Sequence, residues 1–144
     1  MGDRNAGLFL PKSNAILPNQ QSNPMSDSST IVTPIFSVDY ENFQHEVIEA
    51  SHQRPILVDL WADWCSPCLV IAPILKQLIE AYDGELLLAK VEVDEGKNMK
   101  LAGQYQVRGF PTLILFQNGA EQGRFHGAKP RHFIDAFIQQ HAQF

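Results

Sequence analysis

The sequence predicts an α/β fold, a mixed sheet with helices on both faces, and three observations carry that expectation. Strand-like runs alternate with stretches of helical periodicity from Thr33 onward. One run, Pro55-Ile-Leu-Val-Asp-Leu-Trp61, is apolar at nearly every position, as a strand covered on both faces must be. Near the end, two strand-like runs meet at Asn118-Gly119, a dipeptide suited to a tight type I′ turn.

Each element follows from local pattern. Thr33 to Val38 reads as a short strand. Asp39 is placed to cap a helix running to about His52, with Phe43, Val47 and Ala50 on one face. After the Pro55–Trp61 strand, a helix is expected from Cys65 to about Tyr82, bearing Val70, Ile71, Ile74, Leu75, Leu78 and Ile79. Pro73 lies inside it and should kink it, because its ring removes one backbone donor. Asp83-Gly84 ends that helix, Glu85 to Asp94 is the next strand, and a short helix falls around Lys97 to Tyr105. Pro111 to Gln117 and Ala120 to His126 form the hairpin, Gly127 breaks it, and Pro130 to Ala142 is a last amphipathic helix carrying Phe133, Ile134, Phe137 and Ile138. Alternation through the first three strands implies parallel crossovers, and the hairpin adds an antiparallel edge. Ligands of such sheets bind beyond the carboxyl ends of the strands, and two cysteines follow the end of the Pro55–Trp61 strand.

Residues 1 to about 33 are rich in Asn, Gln, Ser and Pro and show little periodicity. They offer too little apolar surface to offset ordering entropy, so residues 1–33 are expected to be a disordered tail ahead of a domain over 34–144. Met25, followed by Ser-Asp-Ser-Ser, is a candidate physiological start.

The whole chain has 144 residues, 44% hydrophobic and 19% charged, in the range of one soluble domain. Its formal net charge of -5, without any run of Lys and Arg, argues against nucleic acid as a partner. No stretch approaches the roughly 18 apolar residues of a membrane span. The short patches Leu8-Phe9-Leu10 and Ala15-Ile16-Leu17, ended by Pro11 and Pro18, are too brief for a signal peptide. A cytoplasmic location is therefore expected.

The only cysteines are Cys65 and Cys68. A bond between them closes so small a loop that it removes little unfolded-state entropy, which makes reactivity or metal binding the better reason for the pair. A first cysteine at a helix N-terminus lies near free backbone N–H groups and the positive end of the helix dipole, and both favour its thiolate. Cys65 is thus the expected nucleophile and Cys68, one turn on, the resolving thiol. Pro67 fits an early helical position, and Ser66 completes the intervening pair that tunes the potential. Zinc would need four ligands; His126 or His132 could join the cysteines, but no His-x-x-x-His spacing supports it, and no metal is expected. Asp59 interrupts an otherwise apolar strand, so burial should raise its pKa into the range where it could take the proton of Cys68. Lys90, interrupting Leu86 to Val91, is its natural cationic neighbour, and a merely structural ion pair is the alternative.

Several motifs in order and spacing resemble the thioredoxin family. They are Val58-Asp59-Leu60-Trp61-Ala62-Asp63-Trp64-Cys65-Ser66-Pro67-Cys68, Ala72-Pro73-Ile74, Ala89-Lys90-Val91, Val107-Arg108-Gly109-Phe110-Pro111-Thr112, Phe116-Gln117-Asn118-Gly119 and Gly127. The resemblance covers about residues 34 to 144. It implies the thioredoxin fold, a central mixed five-stranded sheet flanked by four helices. It implies a cis Pro111 facing the cysteines, a Phe110 backbone that pairs with an extended client, and an apolar docking surface of Trp61, Trp64, Phe110 and Gly127. It also implies protein-disulfide reduction by a monomer with no bound cofactor. Its Cys65–Cys68 disulfide would be re-reduced by a flavin-containing thioredoxin reductase using NADPH. Two positions depart from the family pattern. Ser66 replaces the usual glycine, and Leu69 stands where many members carry lysine. Other readings are a disulfide oxidase or isomerase, a holdase module or a structural zinc module. Holdases of this fold usually carry helical repeats after it, whereas this sequence ends at Phe144 just after the last helix.

Overall fold

The computed structural model describes residues 33–144; the expected tail over 1–33 and the candidate start at Met25 fall outside these residues, apart from Thr33 itself. Five strands, β1 (Ile35–Ser37), β2 (Ile56–Trp61), β3 (Leu87–Glu92), β4 (Thr112–Gln117) and β5 (Ala120–His126), form one sheet in the order β1-β3-β2-β4-β5. Helices α1 (Ser66–Ala81), α2 (Met99–Gln104) and α3 (Arg131–His141) are joined by a fourth helical segment, Gln44–Glu49 continuing as Ala50–His52. The mixed sheet with four helical segments is the architecture expected.

β2 lies at the centre because it can be buried on both faces. On one face Val58 and Leu60 meet Val91, Ile114, Phe43, Val47 and Phe116, in the cluster that also takes Cys65 and Cys68. On the other, Leu57 meets Leu88, Leu113 and Leu115 beneath Ile71, Leu75 and Leu78 of α1 and Ile134 and Ile138 of α3. By strand alternation Asp59 shares the Leu57 face, the side covered by α1.

The strand directions are as expected. β1, β3 and β2 run parallel, and the β4–β5 hairpin forms the antiparallel edge, with β4 antiparallel to β2. The cause is the short α2. Six helical residues rise about 9 Å, against about 20 Å for a six-residue strand, too little to carry the chain back along the sheet. β4 therefore starts at the end where β2 and β3 finish, which is what brings Pro111 to the cysteine end.

The segment after β1 departs from expectation. Asp39 is not its N-cap; that position is Phe43, without a side-chain cap, and Asp39 instead closes the turn before it, where Asn42 N–H donates to Asp39 Oδ1 and Asp39 N–H donates to Asn42 Oδ1, both 2.9 Å. The turns that follow are not α-helical. Gln44–Glu49 is π-helical and Ala50–His52 is 3-10. Buried Phe43, Val47 and Ser51 recur every four residues, a spacing that an α-helix and a wider winding both place on roughly one face. In α1, Val70 is 61% exposed instead of core-facing, since the buried stripe is Cys68, Ile71, Leu75, Leu78 and Ile79. Phe133 of α3 is likewise exposed at 39%. α1 carries across Pro73 as one helix. Asp83 and Gly84, both at positive φ, turn the chain out of it.

Candidate active site

The carboxyl end of β2 positions the cysteines. After Trp61 the chain turns, with Cys65 N–H donating to the Ala62 carbonyl at 3.2 Å, and Cys65 becomes the N-cap of α1. Its extended backbone lets Sγ accept the N–H of Cys68 at 3.3 Å, so the sulfur occupies the place an N-cap oxygen takes in other helices. This is the electrostatic environment that favours a thiolate. Here the two sulfurs are joined as a Cys65–Cys68 disulfide. Both residues are nearly closed to solvent, while Ser66 and Pro67 between them stand exposed on the first turn.

Asp59 and Lys90 are register neighbours on β2 and β3. Asp59 is 2% exposed and its Oδ1 has no hydrogen-bond partner. Burial pushes its carboxyl up from 3.8 to about 7, and the positive charge of Lys90 offsets only part of that. Lys90 is half-buried, with Nζ 4.7 Å from the centre of the Trp61 ring. One open cavity of about 320 Å³ reaches this side of the sheet, lined by Ile35, Ala72, Pro73, Lys76, Leu88 and Lys90.

Across the groove, the Phe110–Pro111 peptide is cis. Gly127 N–H donates to the Pro111 carbonyl at 2.9 Å, tying that loop to the end of β5. Trp64, 63% exposed, meets Phe110 edge-on with ring centres 6.1 Å apart. Trp64, Phe110, Pro111 and Gly127 are thus linked by direct contacts, as are Asp59, Lys90 and Trp61. Leu69, 53% exposed, and Val70 extend apolar surface along the outside of α1.

Two partners escaped the sequence reading. Trp64 Nε1 donates to Asp94 Oδ2 at 2.5 Å, so the loop after β3 fixes the indole. The available sign was an acid just past the end of the strand beside β2. The surroundings are acidic as well. The Glu92 carboxyl is raised above its ordinary range, by local desolvation first and then by Glu95, Asp63 and Asp94. The second is Thr112, fully buried beside Pro111 and bonded to both Gly109 and His126. Among the described residues, no three of His, Cys, Asp and Glu are grouped so as to hold a metal ion.

A disulfide at a helix N-cap, over a sheet that buries a high-pKa carboxyl, is equipped to exchange electron pairs with another disulfide. Comparison with known proteins agrees. The thioredoxin family model matches residues 34–140. A thioredoxin of Chlorobaculum thiosulfatiphilum is 37% identical over 106 residues, covering 74% of this chain and 94% of that protein. Thioredoxin C-2 of Corynebacterium nephridii is 41% identical over 100 residues, 69% of this chain and 89% of its own length. A thioredoxin of Pseudomonas aeruginosa is 38% identical over 104 residues, 72% and 93% respectively.

Proposed function

The chain belongs to the thioredoxin family and is a thiol-disulfide oxidoreductase, and on that premise we propose how its residues divide the work of reducing protein disulfides. The Cys65 thiolate attacks one sulfur of a client disulfide, forming a mixed disulfide and releasing a client thiolate. Asp59, as carboxylate, takes the proton of Cys68. The Cys68 thiolate then attacks Cys65 Sγ, releasing the second client thiolate and forming the Cys65–Cys68 disulfide. Two electrons pass from the dithiol to the client, and the proton held by Asp59 leaves for solvent or the departing thiolate. Lys90 holds the Asp59 charge within the sheet, and Ser66 and Pro67 set the potential. The client lies along Trp61, Trp64, Phe110, Pro111 and Gly127, pairing with the Phe110 backbone.

The observation that carries this reading is the Cys65–Cys68 disulfide at the α1 N-cap, with Sγ of Cys65 on a backbone N–H. A pKa near 7 for Asp59 supports its role, because a base works best when its pKa lies near the working pH. We extend the proposal to the cycle as a whole. The protein acts as a monomer in the reducing cytoplasm, in an electron-transport role, and residues 34–144 form the redox domain behind a tail. A flavin-containing reductase returns it to the dithiol with electrons from NADPH. Exposed Leu69 and Val70 favour clients and a reductase face that are apolar beside the reacting sulfur.

Turnover of insulin disulfides with dithiothreitol as electron source tests the assignment. Cys65→Ser should lose activity by about 10³-fold or more. Cys68→Ser should still attack and should accumulate a mixed disulfide visible as a mass adduct. Reduction that survives Cys65→Ser would overturn the reading.

A further inference from the structure

Thr112 opens β4 directly after Pro111 and is fully buried. Its Oγ1 lies 2.6 Å from the Gly109 carbonyl oxygen and 3.0 Å from Nδ1 of His126, its register partner on β5. A carbonyl oxygen can only accept, so the single hydroxyl proton of Thr112 goes to Gly109. Toward His126 the same oxygen must accept, and Nδ1 must therefore carry a proton. The direction of the relay is thereby assigned: His126 Nδ1–H to Thr112 Oγ1–H to the Gly109 carbonyl. An imidazolium keeps the Nδ1 proton as well, so the relay stands in either charge state of the ring.

The relay grips one end of a short loop and Gly127 grips the other. Gly127 N–H holds the Pro111 carbonyl at 2.9 Å, and the relay holds the Gly109 carbonyl, leaving Phe110 between two anchored peptides. Gly109 is exposed and carries no side chain to pack, so the hydrogen bond from Thr112 is the contact that holds its carbonyl, beside a Phe110 ring packed on Trp64.

We infer that His126 is a positioning residue for client docking, acting through Thr112 on the Gly109–Phe110–Pro111 loop. The inference rests on the reading that clients pair with the Phe110 backbone. A loop already held in place spares the client the entropy of ordering it, so the effect falls on client affinity rather than on the sulfur chemistry.

The test uses the full chain with three sequences: wild type, His126→Val, which keeps a strand-forming residue but loses the donor, and His126→Asn, whose amide N–H takes the place of Nδ1–H. With insulin as the protein disulfide, His126→Val should raise KM three- to tenfold with kcat within twofold. His126→Asn should bring KM back to within twofold of wild type. A KM unmoved by valine, a fall in kcat at constant KM, or no rescue by asparagine would overturn the inference. Amide hydrogen exchange at Gly127 gives a second measurement that needs no turnover. It should quicken three- to tenfold in His126→Val and recover in His126→Asn, and unchanged exchange would overturn the relay. If wild type failed to reduce insulin, the docking reading would fall, and exchange would still decide whether His126 holds the loop.

Discussion

Ser51 and Asp59 are both polar side chains shut inside the domain, at opposite ends of the fold, and the protein treats them differently. Ser51 has 0% exposure and every hydrogen-bonding demand met. Its Oγ donates to the Ile48 carbonyl at 2.7 Å and accepts from Gly119 N–H at 2.9 Å, while its own carbonyl accepts from Asn118 N–H at 2.9 Å. Asp59 has a carboxylate oxygen with no partner at all. A satisfied buried hydroxyl fastens the hairpin to the helical segment behind it. An unsatisfied buried carboxyl costs stability whenever it is charged, and such a cost is tolerated where the charge is used. Asn98 and Thr112, the other buried polar side chains among the described residues, side with Ser51. Asn98 accepts from Tyr40 N–H and donates to the Glu92 carbonyl, and Thr112 has its two bonds. Asp59 is the exception, and it lies at the cysteine end.

The sharpest way to break this contrast is Asp59→Asn, which keeps the shape and removes the charge. With its carboxyl pushed up to about 7 in the folded protein against an ordinary value of 3.8 in the unfolded chain, the folded protein holds a proton that the unfolded chain releases between those values. Stability should therefore fall as pH rises from about 4 to about 7, by about 4 kcal/mol once the interval is crossed. Asp59→Asn should abolish that slope. At pH 8 the oxidised variant should resist urea better than wild type by about 4 kcal/mol, while at pH 4 the two should lie within about 1 kcal/mol. The same substitution should slow the resolving step about 10²-fold in single-turnover experiments while leaving mixed-disulfide formation nearly intact. A variant with wild-type pH slope would mean that Asp59 is satisfied after all.

Ser51→Ala is the converse and the next in size. It strands the Gly119 N–H and one acceptor site on Ile48, for a cost of about 1–3 kcal/mol. Urea unfolding at pH 5 and pH 8 should show the same loss at both, and insulin turnover should be unchanged. A pH-dependent loss, or lower turnover, would dissolve the distinction between an architectural and a chemical buried polar group.

What could be read in advance follows the same division. Asp59, Cys65 and Cys68 stood out because their chemistry is out of place in an apolar strand and at a helix start, which is local information. α1 and α3 were legible because long amphipathic stripes survive small errors of boundary. The π-helical turn over Gln44–Glu49 was not, since residues spaced by four satisfy an α-helical stripe and a wider one equally well over so short a run. The antiparallel edge was legible from Asn118-Gly119, whereas the reach of α2, which sets where β4 begins, is a distance that local pattern does not report. The contacts Trp64 to Asp94 and Thr112 to His126 depend on which strands become neighbours and in what register. In the second case the register of β4 on β5 is itself shifted between Leu115 and Phe116. A side chain's chemistry was visible in the sequence, whereas its partner across the sheet was not.

The smallest effect belongs to the turn that Ser51 holds. Asn118 has φ 57 and Gly119 φ 81, the left-handed pair a type I′ hairpin needs. Asn118→Ala keeps the backbone N–H that bonds to the Ser51 carbonyl, so no hydrogen bond is lost. What is lost is the local ease with which asparagine adopts positive φ, worth about 1 kcal/mol. Asn118→Gly carries no such penalty and should unfold within about 0.5 kcal/mol of wild type, because glycine meets no Cβ clash there although it has more freedom to lose. Both variants should turn over insulin at the wild-type rate, as the hairpin lies at the end of the sheet away from the cysteines. The ordering Asn118→Gly above Asn118→Ala would show that backbone geometry sets the contribution of this end. An equal loss in both would shift the explanation to the asparagine side chain and its own contacts.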